Sequence, residues 1–200
     1  LFYGLAPHYE AIQTVISAVQ MGEGVIKVTG EVGTGKTMVC RMRVNHLQEH
    51  VALIYLPNPI LTGSELRQAV ANELGLEKVP DATIVDEIQT KLIDIHSSGR
   101  RAVAIIDEAQ ALTDETLETL RLFGNLETEQ KKLLQLILLG QPEFDDRLSQ
   151  HHLRQFRQRI SFSAKLRPLS LDETVAYIDH RLEKSSGSTS LFSLNQKKAV

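Results

Sequence analysis

The sequence predicts an α/β fold in which a parallel β-sheet is covered by helices on both faces. Short runs of Val, Ile and Leu alternate along the chain with stretches of helical spacing, and this alternation is typical of βαβ units. The apolar runs are nearly continuous, as expected for strands that are buried on both faces. The predicted strands are Val25–Thr29, Val51–Leu56, Ala102–Ile106, Leu133–Leu139 and Ile160–Leu166. The predicted helices are Thr37–Gln48, Ser64–Leu74, Ala82–His96 and Thr113–Leu122.

The end of the α/β region is marked by a helix-capping signal. Ser170 is followed three positions later by Glu173, which is the pattern of a capping box at a helix start. A polar, breaker-rich stretch at residues 184–190 then predicts a loop. We therefore expect an α/β core over residues 1–169 and the beginning of a small helical domain, truncated by the chain end, over residues 170–200.

Composition excludes several classes of protein. The chain has 200 residues, of which 42% are apolar and 24% charged, so collagen-like and disordered proteins are excluded. The net charge of −3 argues against a wholly basic protein that coats nucleic acid. The single cysteine, Cys40, cannot form an internal disulfide, which favours a reducing compartment. The chain begins at Leu1 and stops at Val200 inside a helical pattern, so we expect it to be a piece of a longer protein.

The sharpest motif is the segment Gly30–Thr37, which fits the pattern G-x-x-x-x-G-K-[ST] of a phosphate-binding loop (P-loop). Its glycines let the backbone curl so that successive N–H groups point at phosphate oxygens, and the following helix presents its N-terminus to the same anion. Lys36 can reach the β- and γ-phosphates, and the Thr37 hydroxyl can hold Mg²⁺. The predicted nucleotide-binding residues are Gly30, Glu31, Val32, Gly33, Thr34, Gly35, Lys36, Thr37 and Met38.

Further candidate residues follow three other predicted strands. Asp107 would bind Mg²⁺, whereas the adjacent Glu108 leaves the strand in another direction and would accept a proton from the water that attacks the γ-phosphate. Gln141 and Asn58 also follow strands, and the carboxyl ends of parallel strands share the crevice where ligands bind. Both amides could face the γ-phosphate, the attacking water or Glu108. The alternative is that they bond groups of their own turns.

Two other features favour structural roles. The segment His46–His50 fits the inverted zinc-protease pattern H-x-x-E-H, but it closes the predicted helix after the P-loop, where histidines suit the negative end of the helix dipole. Cys40 lies one turn after Thr37 and is expected to be a small core residue.

Several motifs come in a fixed order along the chain. They are Gly30–Thr37, Asp107–Gln110, Asn125–Thr128, Leu139–Glu143, Arg157–Ile160 and Tyr177–Leu182. In this order the chain resembles the AAA+ ATPases of the ExeA/GspA secretion type. The string Leu-Gly-Gln-Pro-Glu, followed by the arginine cluster, is far more specific than the Walker motifs. The stretch Met21–Glu31 is similar, within that group, to the ATPases of mannose-sensitive haemagglutinin (MSHA) pilus biogenesis. The resemblance covers nearly the whole chain.

The resemblance implies a P-loop NTPase core of the AAA+ class, a three-layer sandwich with a parallel five-stranded sheet in the order 5-1-4-3-2 and a helical lid. It implies that Gln141 is the sensor 1 residue and that the sensor 2 arginine lies beyond the chain end. It also implies ATP and Mg²⁺ as ligands, ATP hydrolysis and self-association into a ring-like oligomer. The expected location is cytoplasmic, or peripheral at the inner membrane beside pilus or secretion assembly proteins. Cell-wall binding, which some relatives carry in a separate part, is not implied here.

One basic cluster has three open interpretations. It comprises Arg147, His151, His152, Arg154, Arg157 and Arg159. The resemblance favours an arginine finger that reaches a neighbouring subunit's nucleotide, with Arg159 ranked first and Arg154 second. The second interpretation is a contact to DNA phosphates, as in related transposition-helper ATPases. The third is a surface that is simply solvated. The main hypothesis is an ATPase that drives assembly of a pilus or secretion machine. The alternatives are a nucleotide-dependent DNA-binding module and an ATP-gated scaffold with negligible turnover.

Overall fold

A five-stranded sheet forms the centre of the computed structural model, which describes residues 6–45, 49–57, 62–128 and 131–186. The strands are β1 (Val25–Gly30), β2 (Val51–Leu56), β3 (Arg101–Ile106), β4 (Leu134–Gly140) and β5 (Ile160–Leu166). The helices are α1 (Ala6–Met21), α2 (Lys36–Asn45), α3 (Gly63–Glu73), α4 (Ile84–Ser97), α5 (Asp114–Phe123), α6 (Pro142–Leu148), α7 (Arg154–Arg157) and α8 (Leu171–Ser186). Short 3₁₀ turns occupy Ala109–Ala111 and His151–Leu153.

The strand order confirms the predicted fold class. The sheet runs β2-β3-β4-β1-β5, which is the predicted order read from the other edge, and all four pairings are parallel. β1 lies between β4 and β5, two strands that the chain forms much later. As a result, the loop after β1 meets the carboxyl ends of β4 and β5, where open α/β sheets bind their ligands.

Two apolar layers cover the two faces of this sheet. In β3, Val103 and Ile105 face a layer that includes α1 and α2, whereas Ala104 and Ile106 face the layer of α3, α4, α5 and α6. β4 is buried at every position, because both of its faces are covered. This double burial explains why β3 and β4 read as continuous apolar runs rather than as alternating patterns.

The predicted strands agree with the observed ones within one residue at each end, but three helices were not predicted. α1 precedes the first strand, and α6 and α7 have seven and four residues, too few for an apolar period to show. The predicted loop at 184–190 is wrong at its start, because α8 continues to Ser186; the helix propensities of Lys and Ser permit this. Residues 46–48 and 187–200 lie outside the described part of the chain.

The predicted capping box at the start of α8 is confirmed. The Glu173 N–H donates to Ser170 Oγ at 3.3 Å, and the Ser170 N–H donates to the Glu173 carboxylate at 2.7 Å. Arg167 donates two further hydrogen bonds to the same carboxylate, at 2.7 and 2.8 Å. The Arg167 guanidinium, followed by the Ser170 N–H, lowers the pKa of Glu173 to about 2.

Candidate nucleotide-binding site

The predicted P-loop connects β1 to α2, and its glycines are required for two different reasons. Gly33 and Gly35 have φ angles of 80° and 79°, in the region that favours glycine. At Gly30 the reason is packing instead, because an added Cβ would lie 2.7 Å from the main-chain oxygen of Leu166 in β5. The shape of the loop therefore depends on β5 as well as on its own backbone.

Lys36, the first residue of α2, is buried inside this loop. Its side chain is 8% exposed, and its Nζ donates to the main-chain oxygens of Gly30 at 2.6 Å and Glu31 at 2.9 Å. Thr34 Oγ1 donates to the same Glu31 oxygen at 2.8 Å. Both acceptors of the ammonium group are neutral carbonyls. A buried cation of this kind favours an anion nearby, so the loop fits a phosphate group.

The two predicted magnesium ligands are in direct contact. Thr37 Oγ1 donates to Asp107 Oδ2 at 2.6 Å, and the other Asp107 oxygen accepts the Glu108 N–H at 2.9 Å. Tyr55, which was not predicted, lies on the same carboxylate, with its hydroxyl 3.4 Å from Asp107 Oδ2. A hydroxyl and one carboxylate fit Mg²⁺ that arrives with a nucleotide, because this ion is usually held by one or two carboxylates together with substrate phosphates.

The backbone turns sharply at Glu108, directly after β3. Its φ of 53° and ψ of 41° are left-handed, which is rare for a residue with a side chain and is concentrated at functional sites. Its Oε2 accepts hydrogen bonds from Gln110 Nε2 at 2.5 Å and from Gln141 Nε2 at 3.3 Å.

Gln141 therefore contacts Glu108, as one of the predicted alternatives expects. It is the N-cap of α6, yet its side chain makes no capping hydrogen bond. Gln110 was not among the predicted site residues, although an amide two positions after the Asp107–Glu108 pair at a strand end was a usable signal. Asn58 lies outside the described residues.

Two further P-loop candidates, Val32 and Met38, have exposed side chains. Val32 is 76% exposed and Met38, in the first turn of α2, is 44% exposed, so both side chains are accessible to a ligand. Cys40, one turn after Thr37, is buried, and burial raises its pKa to about 12. Its thiol is therefore neutral at ordinary pH and packs in the core.

The candidate arginine fingers lie elsewhere in the fold. Arg159 directly precedes β5, whose first residue pairs with Val25 at the start of β1. Arg159 is therefore at the amino edge of the sheet, whereas the P-loop is at the carboxyl edge. Arg154 and Arg157 belong to α7, which comes just before Arg159, and all three are exposed. The structure does not bring them to the P-loop of their own chain.

The basic cluster of the sequence is not a single surface. Arg147 donates to the main-chain oxygen of Gln110 at 3.3 Å and pairs with Asp114, and His152 Nε2 lies 2.9 Å from the same carboxylate. Arg159 instead lines a cleft of about 980 Å³ at the amino edge. Among the described residues of that cleft, the acids are Glu23 and Glu127 and the Lys and Arg residues are Arg100, Arg101, Arg121, Lys131, Lys132 and Arg159.

Comparison with known proteins identifies the class. Residues 19–148 match the family described as AAA domain, so the chain belongs to the AAA domain family of ATPases. It is 42% identical over 179 residues to General secretion pathway protein A of Aeromonas hydrophila, a match that covers 88% of this chain and 33% of the relative. The chain thus spans about a third of that relative's length. The predicted resemblance to the GspA type is confirmed at this level.

Solved structures share the fold. Cdc6p from Pyrobaculum aerophilum is similar with a TM-score of 0.71 and 14% identity, over 98% of this chain and 54% of that one. The Aeropyrum pernix ORC2 protein in its ADPNP–ADP complexes is similar with a TM-score of 0.70 and 16% identity, over 88% and 51%. At these identities the likeness concerns the fold alone.

Within the residues that the structure describes, none of the helices has the length and apolar character that a bilayer crossing requires.

Proposed function

We propose that this chain binds ATP together with Mg²⁺ and hydrolyses the ATP to ADP and phosphate. The proposal is carried by three kinds of group that converge at one edge of the sheet. Lys36 is a buried cation, Thr37 and Asp107 form a hydroxyl–carboxylate pair, and Glu108 is an exposed carboxylate. The P-loop N–H groups and Lys36 would hold the phosphates. Thr37 and Asp107 would hold Mg²⁺, which supplies charge neutralisation at the phosphate oxygens.

Glu108 is the proposed general base. Its carboxylate would accept the proton of the attacking water, and Gln141, 3.3 Å away, would help to orient that group. Lys36 would stabilise charge on the phosphoryl group as it is transferred. Most of the rate gain in such reactions comes from preorganised charge rather than from covalent chemistry, which suits a site made of fixed polar groups.

Two variants separate binding from hydrolysis. Lys36→Ala should lose the rise in melting temperature that ATP causes, because a ligand stabilises only the state that binds it. Glu108→Gln should keep that rise and lose hydrolysis, because the amide is nearly isosteric but cannot take the proton. Lys91→Ala, in α4, is the matched control for removal of a lysine. If Lys36→Ala responded to ATP like the wild type, the P-loop assignment would be wrong.

We also propose that hydrolysis requires a neighbouring subunit in a ring-like oligomer. Arg159 and Arg154 lie away from their own P-loop, as arginines that act in trans would. Such an arginine contributes about 10³- to 10⁵-fold in rate. Mixing Arg159→Ala with Lys36→Ala subunits of the full-length protein should restore part of the activity, because some interfaces would then contain both intact groups. Confirmed mixed assembly without rescue would refute the role.

The biological role we propose is assembly of a secretion system or of an MSHA-like pilus, with MshM as a proposed counterpart. The 42% identical relative is named for general secretion, and the stretch Met21–Glu31 supports the pilus branch. The proposed location is cytoplasmic, peripheral at the inner membrane. We also propose that residues 1–169 form the ATPase core and that residues 170–200 begin its helical lid. Co-purification of the full-length protein from its own cell tests this: pilus or secretion assembly proteins support it, and their absence contradicts it.

The amino-edge cleft favours a second candidate function, nucleotide-dependent DNA binding. Among the described residues, the cleft is lined by six Lys or Arg and two Glu, which concentrates positive potential in a chain whose net charge is −3. Phosphate contacts release counterions, so DNA retention should fall steeply with salt. Lys131→Gln should reduce the salt dependence if the cleft holds the DNA. Retention that is absent, or insensitive to salt, excludes this function.

A further inference from the structure

The side-chain amide of Gln110 contacts two separate parts of the candidate site. Gln110 lies in the short 3₁₀ turn that follows Glu108. Its Nε2 donates to Glu108 Oε2 at 2.5 Å, and its Oε1 accepts the main-chain N–H of Gln141 at 3.1 Å. One side chain therefore bridges the carboxyl end of β3, where Glu108 lies, and the carboxyl end of β4, where α6 begins.

The two partners determine which way this amide points. A carboxylate can only accept hydrogen bonds and a main-chain N–H can only donate. The NH₂ group must therefore face Glu108 and the oxygen must face Gln141, since the flipped amide would lose both bonds. The main chain of the turn is held as well, because Arg147 Nη1 donates to the Gln110 carbonyl at 3.3 Å. Gln110 is thus fixed at both its side chain and its backbone.

We infer that Gln110 is a positioning residue that holds the Glu108 carboxylate for proton transfer; the inference rests on the proposed function. Glu108 is exposed, and an exposed glutamate side chain samples several rotamers. The N–H donors of Gln110 and Gln141 converge on one oxygen, Oε2. Restricting the carboxylate in this way leaves Oε1 to accept the proton of the attacking water.

Gln110→Glu is the most specific variant, measured in the full-length protein. It is nearly isosteric and keeps an acceptor for the Gln141 N–H, but it replaces the donor that faces Glu108 with a second carboxylate. Because small misplacements of a reacting group cost up to about 100-fold in rate, we expect kcat to fall about 10- to 100-fold. KM for ATP and the ATP-dependent rise in melting temperature should not change. Gln13→Glu, on the exposed side of α1, is the charge-matched control.

A double-mutant cycle then separates positioning from a general structural role. If Gln110 acts only through Glu108, Gln110→Met should lower kcat in the wild-type background and cause no further loss in the residual turnover of Glu108→Gln, measured at high enzyme concentration. If Gln110→Met does not fold, the kcat of Gln110→Glu alone tests the inference.

Three results would overturn the inference. The first is an unchanged kcat in Gln110→Glu while the wild type hydrolyses ATP, which leaves the proposed function intact. The second is a parallel loss of kcat and of the ATP-dependent stabilisation, which indicates a structural role. The third is a wild type that binds ATP without turnover, which refutes the proposed function as well.

Discussion

Replacing Gly30 with alanine tests whether β5 determines the shape of the P-loop. Gly30 ends β1 and pairs with Leu166, the last residue of β5. An alanine Cβ there would lie 2.7 Å from the Leu166 main-chain oxygen and 2.9 Å from the Leu166 Cβ. The first distance is about 0.7 Å shorter than an ordinary van der Waals contact. Neither atom belongs to a flexible side-chain end, so the two strands must separate or the loop must move.

The expected cost follows from this overlap. Overpacking of a well-packed region costs about 1 to 3 kcal/mol, which in a chain of this size lowers the melting temperature by roughly 2 to 4 °C per kcal/mol. Urea unfolding without nucleotide should report the loss, and ATP titration should show weaker binding. The control is Gly24→Ala, whose Cβ would meet no atom within 4 Å and whose φ is not positive, and which should stay within about 0.5 kcal/mol of the wild type. Equal stability of the two variants, with unchanged ATP binding, would refute the reasoning.

Three further predictions concern groups around the site, in the core and at the start of α8. Asp145→Ala should destabilise the protein by about 2 kcal/mol in urea unfolding, because it leaves the half-buried Lys27 ammonium unpaired; the double variant with Lys27→Met should recover most of the loss, and no recovery would contradict the pairing. Cys40, with its pKa at about 12, should react with a thiol reagent at neutral pH only as fast as the protein opens, and rapid labelling of the native state would show an accessible thiol. The Glu173 pKa lies at about 2, below the ordinary 4.5, so its stabilising effect is complete above about pH 4.5 and is lost as the pH falls towards 2. The difference in unfolding free energy between wild type and Glu173→Gln should shrink over that interval, and a constant difference would refute the link to Arg167.

The features that the sequence predicted are those determined by neighbouring residues. A strand buried on both faces must be apolar at every position, so β3 and β4 are visible as continuous runs. The P-loop is visible because its glycines, lysine and threonine have requirements that lie within eight residues. The α8 capping box is local for the same reason, since Ser170 and Glu173 satisfy each other's N–H groups.

The features that were missed depend on contacts between distant parts of the chain. Lys27 lies inside a run read as a buried strand, and its partner Asp145 is 118 residues away; nothing near Lys27 in sequence identifies that carboxylate. The role of Gln110 is similar, because its acceptor oxygen meets the N–H of a residue 31 positions later. The position of Arg159 is different, because it follows from two predicted features: in a parallel sheet, a residue that directly precedes β5 lies at the amino edge, opposite the P-loop.

The short helix α6 explains why these distant contacts matter for the site. Its N-cap is Gln141, whose side chain reaches Glu108, and it packs closely on β4, since a Cβ at Gly140 would lie 3.2 Å from Phe144. From its next turn Asp145 binds Lys27 and also accepts from Thr29 Oγ1 at 2.9 Å on the strand that leads into the P-loop. Its Arg147 holds the carbonyl of the turn that follows Glu108. One seven-residue helix therefore contacts both the strand that carries the phosphate loop and the turn that carries the candidate base. A displacement of α6 would therefore disturb both groups without altering either motif, so the relative placement of P-loop and base depends on α6 packing as well as on the pairing of β1 and β3 with β4.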